Sequence, residues 1–298
     1  GWIKCGGDGN LAYCTVWKWD PPCAPVVAAQ ETTPGPKCPK CTAGGPINLA
    51  NGNVYIEDGD VSIPGLGGGL VLGRTWNGIV PSTQTIYSRG IFGVQWRSTY
   101  EERTFVGDDN YLKYMRADGS FWSFGYDPTS GSYLTAAPSN DASKLTVTDT
   151  TWTITFQNGE KRIFSATLHR LMSIVDRNGN TTTLDYDGSG RLTTVTDPTG
   201  RHLYLTYGTS GDALYLVQTV TSGAIGISLS YTYDASNRLT QVTKPDGTTI
   251  TYTYNSQNLI TSVSDSTGVI ESHTYDSLGR GLTSSRANGV QAVTVTYP

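Results

Sequence analysis

"YDASNRLTQVTKPDGTTITYTY" occupies residues 233–254, and "YNSQNLITSVSDSTGVIESHTY" follows at 254–275. Both stretches begin and end on tyrosine and carry a glycine, Gly247 or Gly268, 14 residues in, so the chain repeats itself in steps of 21. Outward from this pair the same beat is marked by Phe164, Tyr186, Tyr207, Tyr233, Tyr254, Tyr275 and Tyr297, at intervals of 22, 21, 26, 21, 21 and 22. The one long interval holds the insertion "GTSGDALYLVQTVTSGAIG". Gly179 lies 15 residues after Phe164, and Gly200, Gly247, Gly268 and Gly289 each lie 14 after their aromatic. They follow "DRN", "DPT", "KPD", "DST" and "AN", residues that favour turns.

Each unit therefore reads as two strands and two turns. In "TTITYTY", Ile250, Tyr252 and Tyr254 fall on one face and Thr249, Thr251 and Thr253 on the other. The strand after each tyrosine breaks that alternation. Its apolar pairs Leu171/Ile174, Leu192/Val195, Leu239/Val242 and Ile260/Val263 are three apart, which predicts a bulge recurring in every unit and a ribbon that curls.

Composition agrees with an all-β chain. Of 298 residues, 42 are Thr, 35 Gly, 26 Ser and 18 Tyr, and only 15% are charged. The net charge of −4 and the absence of any Lys/Arg run exclude the footprint of a nucleic-acid binder. No apolar run reaches the length of a membrane span, and Gly1 is followed by no basic-then-apolar leader, as expected of a chain whose signal peptide has been removed or of an excised segment.

Three segments are expected. Residues 1–43 form a Cys/Pro-rich arm, irregular through the six prolines of "WDPPCAPVVAAQETTPGPKCPKC". Residues 44–142 form a β lead-in domain with a hairpin turning at Asp118-Gly119, and 143–298 form the repeat domain, opened by a hairpin turning at Asn158-Gly159. All five cysteines, Cys5, Cys14, Cys23, Cys38 and Cys41, lie in the arm. Disulfides in an oxidising compartment, a metal site around "CPKC" and plain reduced thiols are the alternatives. Disulfides suit an arm with no core of its own, while zinc would require a second close Cys or His pair. A c-type haem fits less well still, because Thr42 rather than His follows "CPKC". An odd count leaves one thiol for a neighbouring chain or solution.

The units "YDGSGRLTTVTDPTG", "YDASNRLTQVTKPDG" and "YDSLGRGLTSS" resemble YD repeats of the rearrangement-hot-spot (Rhs) type, and "GGPINLANGNVYIEDGDVSIPGLGGGLVLGRTWN" resembles the segment that precedes them in bacterial members. The resemblance covers about residues 38–298. It implies a continuous β-ribbon spiralling into a hollow shell, which in full-length members often encloses a C-terminal toxin. The quoted units are too few to close such a shell, and neither a self-cleavage region nor a toxin follows them.

Residues that carry chemistry are sparse. His169, His202 and His273 fall at unrelated repeat positions, so no metal triad is expected. Asp118, Asp176, Asp197 and Asp246 precede turn glycines and are assigned to the turns, and Glu101-Glu102 is assigned to a solvated strand face. "GLGGG" lacks the Lys-Ser/Thr of a phosphate loop and leads into a strand. The aromatic ladder Phe164, Tyr186, Tyr207, Tyr233, Tyr254, Tyr275 and Tyr297 is assigned to packing, with Tyr254 buried between units, in preference to a sugar-stacking platform.

The expectation is an all-β, curled antiparallel ribbon with no catalytic residue, cofactor or metal, secreted or at the cell surface. Its partners would be copies of itself, the edge strand near Val293 to Tyr297 pairing with a neighbour's arm or lead-in domain to give an end-to-end homopolymer held by β-pairing and disulfides. The alternatives are a shell segment of an Rhs-type polymorphic toxin and a module that binds surface glycans.

Overall fold

A computed structural model describes residues 2–5, 12–15, 42–43, 46–80, 88–138, 140–289 and 292–297, with backbone alone at 2–5, 12–15, 42–43 and 288. It is nearly all β, with short 3-10 turns as the helical elements among the described residues. Strands joined by tight turns run antiparallel, each paired with its neighbour in the chain: from Arg103–Val106 to Thr181–Tyr186, and again from Leu192–Thr196 to Val293–Thr294. The expected hairpins at Asp118-Gly119 and Asn158-Gly159 form, with Tyr114 opposite Trp122 and Trp152 opposite Phe164. The lead-in strands Tyr55–Ile63, Leu70–Asn77 and Trp96–Ser98 make a separate three-stranded sheet. "GLGGG" is a tight turn with Gly67, Gly68 and Gly69 at positive φ, and the strand expected after it is Leu70–Asn77.

In the arm, Trp2–Cys5 pairs with Ala12–Thr15, placing Ile3 opposite Cys14 and Cys5 opposite Ala12. The arm thus opens on a regular hairpin. The proline run, Cys23, Cys38 and Cys41, and the sulfurs of Cys5 and Cys14 lie outside the described residues.

Two compact units result. One includes Glu102–Arg116 and Ser120–Leu184, and the other includes the described residues of Pro34–Glu101, Ala117–Gly119 and Asp185–Pro298. The lead-in sheet therefore shares a unit with the later repeats.

The repeat's chemistry is in its turns. In the segment Asp187 to Arg191, Asp187 N–H donates to Arg191 O (2.9 Å) and Gly190 N–H to Asp187 O (2.8 Å). Gly190 sits at φ 71°, which makes a three-residue hairpin loop whose last position is left-handed. The Asp187 carboxylate accepts from the Ser189 and Arg191 amides at 2.9 Å each and from Arg191 Nε at 2.7 Å. Asp234 with Arg238 and Asp276 with Arg280 repeat this arrangement. The motif Tyr-Asp-x-x-x-Arg thus codes a turn in which one carboxylate satisfies two backbone donors and a guanidinium. Those bonds hold the carboxyls of Asp187, Asp234 and Asp276 below the usual range against the opposing pull of burial.

The bulge recurs where the apolar spacing places it. Register shifts fall between Ile163 and Phe164, Thr206 and Tyr207, Thr232 and Tyr233, Thr253 and Tyr254, and Thr274 and Tyr275. Tyr254, for example, faces Ile260 while Thr253 faces Ser262, leaving Thr261 unmatched. The extra residue lets Leu239 with Val242, and Ile260 with Val263, turn to the same buried side although three apart.

Candidate functional site

The lead-in segment crosses the later repeats. Val94 N–H donates to Asn237 O (3.1 Å) and Val217 N–H to Ile91 O (2.9 Å). Trp96 Nε1–H donates to the Tyr254 phenol (3.1 Å). Gly78 lies against Leu259, whose Cδ2 would be 3.4 Å from a side chain there. At the far end Gly281 N–H donates to Gly52 O (2.8 Å). No side chain fits at Gly281, where a Cβ would stand 2.5 Å from Val54 Cγ2.

Arg74 is the centre of this contact. It lies on Leu70–Asn77 in phase with the buried Leu70, Leu72 and Trp76, and is itself 2% exposed. Its Nε and Nη2 donate to the two Asp60 oxygens at 2.6 and 2.8 Å, a two-pronged fork, and both terminal nitrogens donate to Tyr252 Oη at 3.2 Å. Tyr231 donates to Asp60 (2.8 Å), and Tyr252 donates to Asp58. A register shift between Gly59 and Val61 leaves Asp60 as the unmatched residue, which re-aims its side chain inward. The guanidinium carbon lies 4.9 Å from the Trp96 ring centre and 5.7 to 5.8 Å from those of Tyr252, Phe92 and Tyr231. Burial works to lower the guanidinium's hold on its proton, but Tyr252, Asp60 and Asp58 outweigh it and keep Arg74 charged. Removing an ion from water costs several kcal/mol, and only a fully bonded geometry of this kind offsets it. Asp58 and Asp60 are thus both engaged, and neither is a free acid or base.

The other unit holds a buried carboxylate. Glu102, expected on a solvated face, is 7% exposed. It accepts from Tyr114 Oη (2.7 Å) and pairs with Arg162 Nε (3.2 Å). Tyr114 packs edge-on to Phe164 and Trp122, and Arg162 lies over Phe156. Burial pushes the Glu102 carboxyl up, with Arg162 and Tyr114 pulling the other way. Its neighbour Glu101 is half-buried and accepts from the Ile91 and Ser98 amides. Glu102 is covered by side chains far away in the chain and Glu101 is held by backbone amides, which corrects the solvated reading.

Among the ladder aromatics, Phe164 is fully buried and Tyr186 is half-buried. Tyr207, Tyr233, Tyr254, Tyr275 and Tyr297 are also half-buried, and they donate to the carbonyls of Leu192, Val217, Leu239, Ile260 and Gly281. Arg191, Arg238 and Arg280 cover the rings of Tyr207, Tyr254 and Tyr297, 4.2 to 5.2 Å from their centres, where a sugar would have to stack. His169 contacts Thr104 and Trp152, His202 contacts Thr196 (2.9 Å), and His273 is buried elsewhere. Among the described residues, no three His, Cys, Asp or Glu converge on a metal-sized site, and no helix is long and apolar enough to cross a membrane. Asp176, Asp197 and Asp246 bond their own turn amides, as expected.

Residues 44–124 match a family described as a domain of unknown function (DUF6531), and residues 167–202, 216–249 and 233–270 match the RHS Repeat family. The tRNA nuclease WapA of Bacillus subtilis (strain 168) and the tRNA3(Ser)-specific nuclease WapA of Bacillus spizizenii are each 29% identical over 155 residues, which is 50% of this chain and 6% of theirs. Among solved structures, the crystal structure of TcdB2-TccC3-Cdc42 aligns with 78% of this chain and 15% of its own at 13% identity and a TM-score of 0.32. That of TcdB2-TccC3 aligns with 80% and 12% at 16% identity and a TM-score of 0.31. The chain therefore spans about 6% of the length of the curated relatives it matches. The RHS Repeat matches fall on the units whose Tyr-Asp turns and bulges recur above, and the other match falls on the lead-in segment that crosses them: the chain belongs to the Rhs/YD-repeat family.

Proposed function

We propose that this chain is a non-catalytic wall segment of a secreted or cell-surface Rhs-type protein, in which the lead-in segment is laid across the repeats and fixes where the β-ribbon begins. The Arg74 clasp carries this reading. A reactive centre keeps groups available for substrate, whereas each ionisable side chain of the clasp is bonded to a neighbour. Members of the family are typically found at the cell surface or secreted, which supports the location. The nuclease activity named for the WapA proteins is not carried over, because the aligned part is a small fraction of their length. Incubating the purified chain with tRNA tests this, and cleavage above the buffer control would overturn the non-catalytic reading.

A second reading, an end-to-end homopolymer locked by disulfides from the arm, is favoured by repeat phase. Tyr297 donates to Gly281 O as the earlier tyrosines do to theirs, so a further strand from the same chain or another copy meets a ladder already in register. Negative-stain images of native material separate the readings. Hollow particles are expected for the wall segment, filaments would favour the homopolymer, and small uniform particles would overturn both.

A further inference from the structure

His273 lies on Gly268–Tyr275 directly opposite Ser284 of Gly281–Arg286. Both are buried, at 3% and 1% exposure, and neither imidazole nitrogen nor the serine hydroxyl has a hydrogen-bond partner. Two facing polar groups left unsatisfied in a sheet interior are unusual and call for an explanation. Ser284 follows Gly281 by three on the bulged strand, so both turn to the side on which Gly281 meets Ile47, Gly52 and Val54 of the lead-in segment. The pair thus sits beside the far anchor of that segment.

We propose that His273 is an acid-sensitive latch: its protonation opens the pairing of Gly268–Tyr275 with Gly281–Arg286 and releases the lead-in residues 47–54 from Gly281. A charged imidazole there has Ser284 across the strand pair and one carboxylate within reach, Glu271, whose Oε1 is 3.6 Å from Nε2. Glu271 is itself contested. Burial pushes its carboxyl up, Arg286 pulls it down, and Asp58 on the lead-in strand pushes it up again. The Tyr275 ring lies 6.5 Å from the imidazole and Tyr55 interacts with Glu271; both phenols are raised by burial and stay neutral throughout.

Burial brings the His273 imidazole down to about 4. The unfolded chain, with an ordinary histidine near 6.5, takes up the proton first, so the latch contributes fully above that value and weakens as pH falls from about 6.5 toward about 4. His169, also lowered by burial, acts with the same sign, whereas raised Glu271 acts with the opposite one. A difference between wild type and a His273 variant isolates the latch from both.

The test is hydrogen exchange on the full chain at pH 7 and pH 4.5, corrected for intrinsic rates, with His273→Leu alongside. Peptides covering 47–54 and 268–286 are expected to open on the order of 100-fold more at pH 4.5 in wild type and to lack that increase in the variant. An equal increase in both proteins overturns the proposal. Should His273→Leu fail to fold, NMR titration of the three wild-type histidines decides: a ring that titrates near 4 and disappears in His273→Gln supports the latch, and three rings titrating near 6.5 overturn it.

Discussion

The unit that begins at Tyr233 and the unit that begins at Tyr254 have the same length and different turns. The first carries Asp234 and Arg238, and its arginine lies over Tyr254 at the unit's end. The second has Asn255 and Leu259 in those places, and Leu259, 2% exposed, points at Gly78 of the lead-in segment. The unit that begins at Tyr207 departs further. Its insertion supplies Asp212, which accepts from Arg89 of the lead-in at 2.9 Å through its backbone oxygen. The repeats abandon the Asp-Arg turn at places where the lead-in segment needs an apolar seat or an acid. At these two places the departing residues themselves contact the lead-in segment, while units that keep the Asp-Arg turn meet it through other groups, Asn237 O and Gly281 N–H among them.

The hardest way to break this comparison is to remove what holds the lead-in down. Arg74→Met leaves the buried Asp60 carboxylate without its cation and is expected to cost about 3–5 kcal/mol, read as a lower urea midpoint at unchanged slope. An unchanged midpoint would mean that the lead-in contributes nothing to the unit. Restoring the consensus is the next test. Leu259→Arg puts an unpaired charge under Gly78 and is expected to lose about 3 kcal/mol. If docking is the reason for the departure, adding Asn255→Asp to supply the missing acid leaves most of that loss in place, and full rescue would assign the departure to the turn alone. The smallest effect belongs to a unit that keeps the Asp-Arg turn. Arg238→Leu removes a half-exposed ion pair and a ring contact and should cost about 1 kcal/mol, with a loss above that of Leu259→Arg contradicting the ranking.

Much of the repeat was legible because its signals are local. Turn glycines, the acid after Tyr186, Tyr233 and Tyr275 and the three-residue apolar spacing all act within one unit, and the structure places loops and bulges where they point. The Arg74 centre was not read from sequence, though a signal exists. Leu70, Leu72, Arg74 and Trp76 share one strand face, and an arginine in the apolar phase announces a buried cation with partners elsewhere. Those partners could not be found locally. Tyr231 and Tyr252 look like ordinary strand aromatics, and Asp60 reaches inward only because a bulge turns it. Glu102 was misassigned for the same reason: Tyr114 is 12 residues away and Arg162 is 60 away, and no pattern near Glu102 names either.

The phenol bonds of the repeat tyrosines also have a mechanical meaning. Tyr207, Tyr254 and Tyr275 each bond a carbonyl 15 residues back, and Tyr233 and Tyr297 one 16 back, so each closes the base of the hairpin it ends. Force applied along the chain reaches that closure before it reaches the ladder inside. Extension should then proceed in discrete ruptures, one tyrosine at a time, each releasing roughly 50 Å of slack as about 15 residues straighten. A chain spelled this way yields to load in counted steps, and the tyrosines are the count.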